Sequence, residues 1–362
     1  MTICTTCILN DKYPGVNFNN VGECSLCNTR KAFKPFGEDK LIEIFNKAKS
    51  KNARFDALVP LSGGKDSTYI LYLAAKVYNL KVLAMTYDNG LFSQTALDNI
   101  DRALKITGVE HVFCKTDFEI QKKVYRNMLL KSGDICGACD IATISYIHKI
   151  AEDYKTPLIL YGTSPLEEDS FVPDSIQDIS RFKYILKDVP ELNRDEINKY
   201  LVLPSRNHLN TFFKKKSGKI GLEVRPLFYI DNPSDKEMGE IISKEMGWKE
   251  DSNKDFTKHF DCIAEPFTNY VRQNIYGYER HICQYSNMVR RGEITRKKAL
   301  ELYEADKIDE KPENYNEILK LFNISEEQMN EIREIKPLKY EKYTSKIDKL
   351  FLYFVKLKQR IL

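Results

Sequence analysis

Between residues 55 and 161, short and mostly apolar runs alternate with longer stretches in which apolar positions recur every three or four residues. The runs Phe55–Leu61 (FDALVPL), Lys81–Thr86 (KVLAMT), His111–Cys114 and Pro157–Tyr161 (PLILY) predict strands buried on both faces. The stretches between them, Ser67–Tyr78, Ser93–Thr107, Asp117–Lys131 and Ala138–Tyr154, predict helices. Such alternation predicts an α/β fold, a parallel sheet with right-handed crossovers and helices on both faces. A last strand over Leu222–Ile230 (LEVRPLFYI) returns to the sheet, and a helix follows from a cap near Ser234.

The flanks follow other rules. Residues 1–32 show little periodicity and are rich in Cys, Asn, Gly and Thr, so they cannot build a core of their own and need a staple. Residues 33–52 hold a linking helix, Asp39–Ser50, with Leu41, Ile42, Ile44, Phe45 and Ala48 at helical spacing. The α/β domain then runs over 53–250, interrupted at 170–220 by polar turns and the basic run Phe213–Lys219 (FKKKSGK), which reads as an insertion. Residues 251–362 read as a helical C-terminal region, with ITRKKALELYEAD and SEEQMNEIREI as well-patterned helices. There is no internal repeat and no low-complexity tract.

At 362 residues, 42% hydrophobic and 30% charged, the chain has the makeup of a globular protein of two or three units. Its 56 basic and 52 acidic residues leave a net charge of +4, too small and too mixed for a surface that coats nucleic acid. No run of about 18 apolar residues predicts a membrane span. The opening Met1-Thr2-Ile3-Cys4 lacks the basic and apolar parts of a secretory leader, so a cytoplasmic location with no membrane partner is expected. Thiols stay reduced there, and C-x-x-C pairs among the nine cysteines then read as metal or redox sites rather than disulfides.

The sharpest chemical signal stands where the first strand meets its helix: Leu61-Ser62-Gly63-Gly64-Lys65-Asp66-Ser67. Two adjacent glycines let the backbone approach an anion, and the first amides of the helix point at the same spot. Ser62 and Ser67 add hydroxyl donors, Lys65 a charge, and Asp66 can orient the loop or hold Mg2+ through water. The spaced second glycine of the G-x-x-x-x-G-K-[ST] loop is missing. The segment resembles instead the S-G-G-x-D-S signature of PP-loop ATP pyrophosphatases, whose fold is adenine nucleotide alpha hydrolase-like and which include GMP synthetase, argininosuccinate synthetase and tRNA thiolation enzymes. That resemblance implies ATP with Mg2+, adenine beside Met85, Thr86 and Tyr87, and Gly162-Thr163 facing the nucleotide from the fourth strand's loop. Asp88, in Tyr87-Asp88-Asn89-Gly90, is either a ligand group or a turn former.

Two further cysteine sets carry metal chemistry. Cys4 and Cys7, then Cys24 and Cys27, have the spacing of a four-thiolate zinc ribbon, with Pro14, Gly15 and Gly22 suited to its turns. Four protein ligands leave zinc no open position, so this zinc is structural. The third pair, Cys136 and Cys139, opens a helix on the ligand edge of the sheet, where helix amides are expected to lower thiol pKa values. With Cys262 folded back, three thiolates would hold a [4Fe-4S] cluster with one open iron, or zinc with one open position; the bland alternative is packing. Cys114 reads as core, and Cys283 suggests nothing beyond packing.

In order and spacing, several segments together resemble the N-acetyl sugar amidotransferases of surface-glycan biosynthesis, including enzymes of acetamidino and pseudaminic-type sugars. They are the opening cysteine pairs, Pro60–Ser67, Asn89-x-Leu91-Phe92, Gly133-Asp134-x-Cys136-x-x-Cys139, Gly162-x-x-Pro165, Asp261-Cys262 and Arg290-x-Gly292-x-Ile294-Thr295-Arg296-Lys297-Lys298-Ala299-Leu300. The basic insertion and residues past about 305 have no counterpart in it. The resemblance implies an acetamido group on a nucleotide-activated sugar, adenylated by ATP and converted to an acetamidino group by ammonia from a partner glutaminase. Lys65, Asp66, Cys136 and Cys139 are the expected catalytic side chains. The alternative is a sulfurtransferase that thiolates a tRNA base or a small amide with an iron-sulfur cluster.

Overall fold

The computed structural model describes residues 2–13, 16–29, 34–165, 179–203, 208–250, 261–279 and 281–334. Pro14 and Gly15, part of the insertion and the last 28 residues, 335–362, lie outside that set. Five parallel strands form one sheet in the order β3-β2-β1-β4-β5: β1 Ala57–Pro60, β2 Val82–Asp88, β3 Glu110–Lys115, β4 Leu158–Leu160 and β5 Leu222–Val224. Register pairs Ala57 with Val82 on one side and with Leu158 on the other.

Apolar residues alternate across the sheet and so feed two cores, which is why the inner strands read as continuous apolar runs. Ala57, Val59, Ala84 and Leu160 face one side, where they meet α2 (Glu38–Lys49), α3 (Lys65–Tyr72), α4 (Gln94–Thr107) and α10 (Asp235–Met246). Leu58, Leu83, Met85 and Ile159 face the other, against α5 (Phe118–Ser132), α6 (Cys136–Asp153), α7 (Ile179–Leu186) and α8 (Arg194–Leu201). Local signals set the helix starts: Ser93 Oγ caps α4, Asp117 caps α5, and Ser234 with Glu237 forms a capping box on α10.

Three expectations change. β3 is not buried on both faces, because it is the sheet edge; Phe113 there is 51% exposed. The fifth strand stops at Val224 instead of Ile230. Pro226 has no N–H for a ladder and opens a 3-10 turn, Pro226–Phe228. The insertion is no polar excursion either: besides α9 (His208–Lys216) it supplies α7 and α8, whose Phe182 and Tyr200 are wholly buried and stack at 5.6 Å.

The C-terminal region splits its packing. α11 (Glu265–Tyr276), α14 (Tyr315–Phe322) and α15 (Glu326–Arg333) join the second core through Phe267, Tyr315 and Met329. α12 (Ile282–Arg290) and α13 (Arg296–Ala305) instead carry a third core shared with the N-terminal residues and their short helix α1 (Ser25–Thr29). Ile8, Leu9 and Tyr13 find there the apolar partners that their own segment lacks. Among the described residues no helix is long and apolar enough to cross a membrane.

Candidate nucleotide site and cysteine centres

The strand order reverses between β1 and β4, and open α/β sheets bind ligands at such a switch, beyond the carboxyl ends of the strands. The loop Leu61–Gly64 stands there. Gly63 has φ +78°, and a Cβ on it would lie 2.2 Å from the Ala96 carbonyl oxygen, so only glycine fits. Its own carbonyl is held by the Trp248 Nε1–H at 3.1 Å and the Asn99 Nδ2–H at 3.2 Å. Gly64 then serves as N-cap of α3 with no side-chain cap on the helix, its own N–H resting on Ser62 Oγ at 3.3 Å, which leaves the first-turn amides of Lys65 and Asp66 facing the loop. Ser67 braces the loop, its hydroxyl 3.2 Å from Ser62 Oγ and accepting the Ser62 N–H at 3.1 Å. Gly162 allows the β4 loop to lie against α3, since a Cβ would meet the Asp66 backbone at 3.0 Å; Thr163 follows it, half-buried. The arrangement is a braced, uncapped helix start that can take an anion.

Other predicted residues are placed differently from a ligand-facing role. Thr86 is buried and spends its hydroxyl on the Leu61 carbonyl at 2.7 Å, while Met85 and Tyr87 belong to the core. Tyr87 stacks on Tyr146 at 4.8 Å. Asp88 adopts the turn geometry, accepting the Gly90 N–H at 2.9 Å. The Lys65 ammonium is buried between two carboxylates, 2.9 Å from Asp66 Oδ1 and 2.7 Å from Asp235 Oδ1. Burial pulls its pKa down, but Asp66 and Asp235 more than reverse this and hold it above the ordinary value. Lys65 thus ties the start of α3 to α10.

Asp235, Asn99 and Trp248 carry no motif of their own and emerge only from the fold, whereas Asp261 stands in the Asp261-Cys262 segment already singled out. A cleft of about 200 Å³ opens beside Asp235, lined also by Ser164, Pro165, Met238, Arg291 and Glu293. Asp235 Oδ2 is buried and accepts no hydrogen bond. Residues 261–263 pair antiparallel with 91–93: Phe92 bridges Cys262, Ser93 N–H donates to the Asp261 carbonyl at 3.1 Å, and Ile263 N–H donates to the Leu91 carbonyl at 2.7 Å. Asp261 Oδ2 therefore reaches to 3.4 Å of where a Gly64 Cβ would stand.

The same pairing brings Cys262 to the helix that starts at Cys136. Cys139 and Cys136 are near enough to couple to Cys262 electrostatically, and Asn89 Nδ2–H points at Cys139 Sγ over 3.6 Å. Among the described residues the three sulfurs do not all lie within 4.8 Å of one another, as the ribbon sulfurs do. The expected lowering of thiol pKa fails for Cys139, which burial first and Asp140 next push up to about 12. Asp134, buried and 3.6 Å from Arg181, takes the first helix amides of Cys136 and Gly137. Cys262 is raised as well, chiefly by burial.

The ribbon cysteines fit a metal. Bonds of 2.3 Å to a tetrahedral zinc place sulfurs about 3.8 Å apart. Cys7 and Cys24 are 3.7 Å apart, and Cys4 and Cys27 3.9 Å. Backbone N–H groups of Cys7 and Cys24 donate to Cys4 Sγ at 3.4 and 3.2 Å, as stabilised thiolates require. Arg290 lies 3.3 Å from Cys7 Sγ, and Arg296 donates to the Cys4 and Cys7 carbonyls at 2.8 and 2.9 Å. The ribbon is therefore docked on α12 and α13, with Cys283 buried in the seam.

Comparisons with known proteins find partial matches. Residues 252–358 match the family model for the C-terminal domain of LPS biosynthesis protein WbpG-like proteins, so the tail past 305 does have a counterpart. A 7-cyano-7-deazaguanine synthase from Leptospira biflexa serovar Patoc is 39% identical over 75 residues, which span 19% of this chain and 30% of that enzyme. Among solved structures, the U34-tRNA thiolase NcsA from Methanococcus maripaludis with its [4Fe-4S] cluster aligns at 17% identity and a TM-score of 0.36, over 85% of this chain and 90% of that one. NMN synthetase from Francisella tularensis aligns at 14% identity and a TM-score of 0.27, over 59% and 86%. The loop Leu61–Gly64 thus stands at the switch of the sheet, and the chain spans under a third of the length of the curated relative it matches.

Proposed function

We propose that this protein is an ATP-dependent amidotransferase that converts the N-acetyl group of a nucleotide-activated sugar into an acetamidino group. The observation that carries the ATP half is the braced, uncapped start of α3 at the sheet's switch point. The match of residues 252–358 to an LPS biosynthesis domain supports a glycan precursor as acceptor. An amide oxygen is a poor leaving group; transfer of AMP to it, with release of pyrophosphate, makes it one that ammonia can displace. Here the Lys65 and Asp66 amides would hold the pyrophosphate portion, with Ser62 and Ser67 fixing the loop, and Mg2+ would neutralise its charge. Lys65 acts through Asp66, holding the loop in place, and the adenine lies at the ends of β1 and β2, beside the backbone of Met85 to Tyr87. The cleft beside Asp235 is smaller than the roughly 300 Å³ of a typical small-molecule site, so it suits one ring of the acceptor rather than the whole nucleotide sugar. A glutaminase partner in the cytoplasm would supply ammonia.

A second reading, sulfur transfer to a tRNA base or small amide, is favoured by one feature: Cys139 and Cys262 converge beside the loop. Sulfurs wider apart than one ion allows suit a [4Fe-4S] cluster held by Cys136, Cys139 and Cys262, which when bound would supply an open iron for sulfide or substrate. The test is incubation with ATP, Mg2+, ammonia and nucleotide N-acetyl sugars, reading AMP, pyrophosphate and product mass. An acetamidino product supports the first reading. Formation of a thio product with tRNA or sulfide replaces it by the second, and failure to release pyrophosphate with every acceptor refutes both.

A further inference from the structure

Glu279, His281 and Asp306 belong to none of the chemistry above, yet they meet inside the C-terminal region with side chains 1%, 5% and 6% exposed. His281 Nδ1 stands 3.2 Å from Glu279 Oε1 and 3.3 Å from Asp306 Oδ2, and one ligand atom of each residue lies within 4.8 Å of the others. Glu279 Oε1 is buried and accepts no hydrogen bond, while its other oxygen takes the His281 backbone N–H at 2.6 Å. Two carboxylates removed from water need a compensating cation. Among the described residues Glu279 pairs with no lysine or arginine.

We propose that Glu279, His281 and Asp306 hold a divalent transition-metal ion of the zinc class. Metal bonds of about 2.0–2.2 Å to imidazole nitrogen and carboxylate oxygen set neighbouring donors roughly 3.3–3.5 Å apart in a tetrahedron, close to the spacing here. One nitrogen and two oxygens suit zinc better than the all-oxygen cages of calcium or magnesium. Tyr285 O–H donates to Asp306 Oδ2 at 2.5 Å and so orients that carboxylate, the kind of outer contact ligating groups carry. The placement gives the ion its task. His281 precedes α12 and Asp306 ends α13, whose other ends are joined by the short turn at 291–295, so the site closes the open end of the hairpin on which the ribbon docks.

The experiment counts zinc in the purified full-length protein by elemental mass spectrometry. Glu279→Gln and, separately, Asp306→Asn should each lose the same single equivalent relative to wild type, while Cys4→Ser loses a different one and the losses add. Wild-type zinc content in folded Glu279→Gln overturns the proposal, leaving a hydrogen-bonded histidine between two acids. If neither acid variant folds, cobalt(II)-loaded wild-type protein decides: ligand-field absorbance from an ion without sulfur ligands, beside the sulfur-to-cobalt bands of the cysteine sites, supports the site. A purely sulfur-type spectrum refutes it.

Discussion

Gly63 and Gly64 are neighbours with different duties, and substituting them separately tests the reading of the loop. In Gly63→Ala the new residue is held at φ +78°, which costs an L-residue about 1 kcal/mol. Its methyl would stand 2.2 Å from the Ala96 carbonyl oxygen and 2.9 Å from the carbonyl carbon, backbone atoms of α4 that cannot swing aside. Overpacking of this kind costs about 1–3 kcal/mol. Any shift of the loop also strains the bonds from Trp248 and Asn99 to the Gly63 carbonyl, each contributing about 1 kcal/mol. A loss near 4 kcal/mol follows, roughly 10 °C in melting temperature for a domain of this size. Gly64 has an ordinary φ of −72°, and its methyl would meet only Ser62 Oγ at 3.3 Å and Asp261 Oδ2 at 3.4 Å, so Gly64→Ala should melt within about 1 kcal/mol of wild type. That methyl nevertheless stands over the anion-binding amides, and ATP-dependent pyrophosphate release should fall on the order of a hundredfold. Urea denaturation and a pyrophosphate assay read the two effects. Equal stability of the two variants, or full turnover in Gly64→Ala, would refute the argument.

Removing the Asp235 carboxylate in Asp235→Ala should cost about 2–4 kcal/mol, because Lys65 stays buried with one partner fewer. The pair Lys65→Met with Asp235→Leu should recover most of that in urea melts but not the turnover. Glu223 predicts an acid limb: burial alone raises its carboxyl pKa, but the His148 hydrogen bond and Lys215 bring it down to about 2 from an ordinary 4.5. A depressed carboxyl stabilises fully above about pH 4.5 and loses that contribution as pH falls toward 2, about 2 kcal/mol after allowance for its 30% exposure. Glu223→Gln should flatten the stability curve over that window; an unchanged curve counts against the pair. Under the cluster reading, anaerobically purified protein should be brown and carry iron that Cys262→Ser reduces, whereas colourless wild-type protein without iron excludes the cluster.

Much of the sheet was legible because a strand covered on both faces has nowhere to place polar side chains, so β1, β2 and β4 announce themselves. The same rule misjudged β3, whose apolar run says nothing about whether a sixth strand lies beyond it. In the fifth strand the LEVRPLFYI pattern outweighed Pro226, although a missing N–H decides against a strand there. Glycine spacing located the loop Leu61–Gly64 at the start of α3, but the partner of Lys65 came from Asp235, 170 residues onward, and local pattern cannot reach that far. Cysteines are rare enough for spacing to reveal the ribbon. Glu279, His281 and Asp306 have no such spacing, and only the folding of α12 against α13 brings them together.

Because the ribbon rests on α12 and α13, residues 4–27 depend on residues 282–305, which lie in the last quarter of the sequence. At roughly 5–20 residues per second, translation would keep Cys4, Cys7, Cys24 and Cys27 waiting on the order of tens of seconds before residues 282–305 emerge. Early zinc loading would protect those thiols from oxidation in the interval. A chain truncated before residue 282 would display Ile8, Leu9 and Tyr13 without their cover, a sticky apolar flag by which chaperones and proteases can tell an unfinished molecule from a complete one.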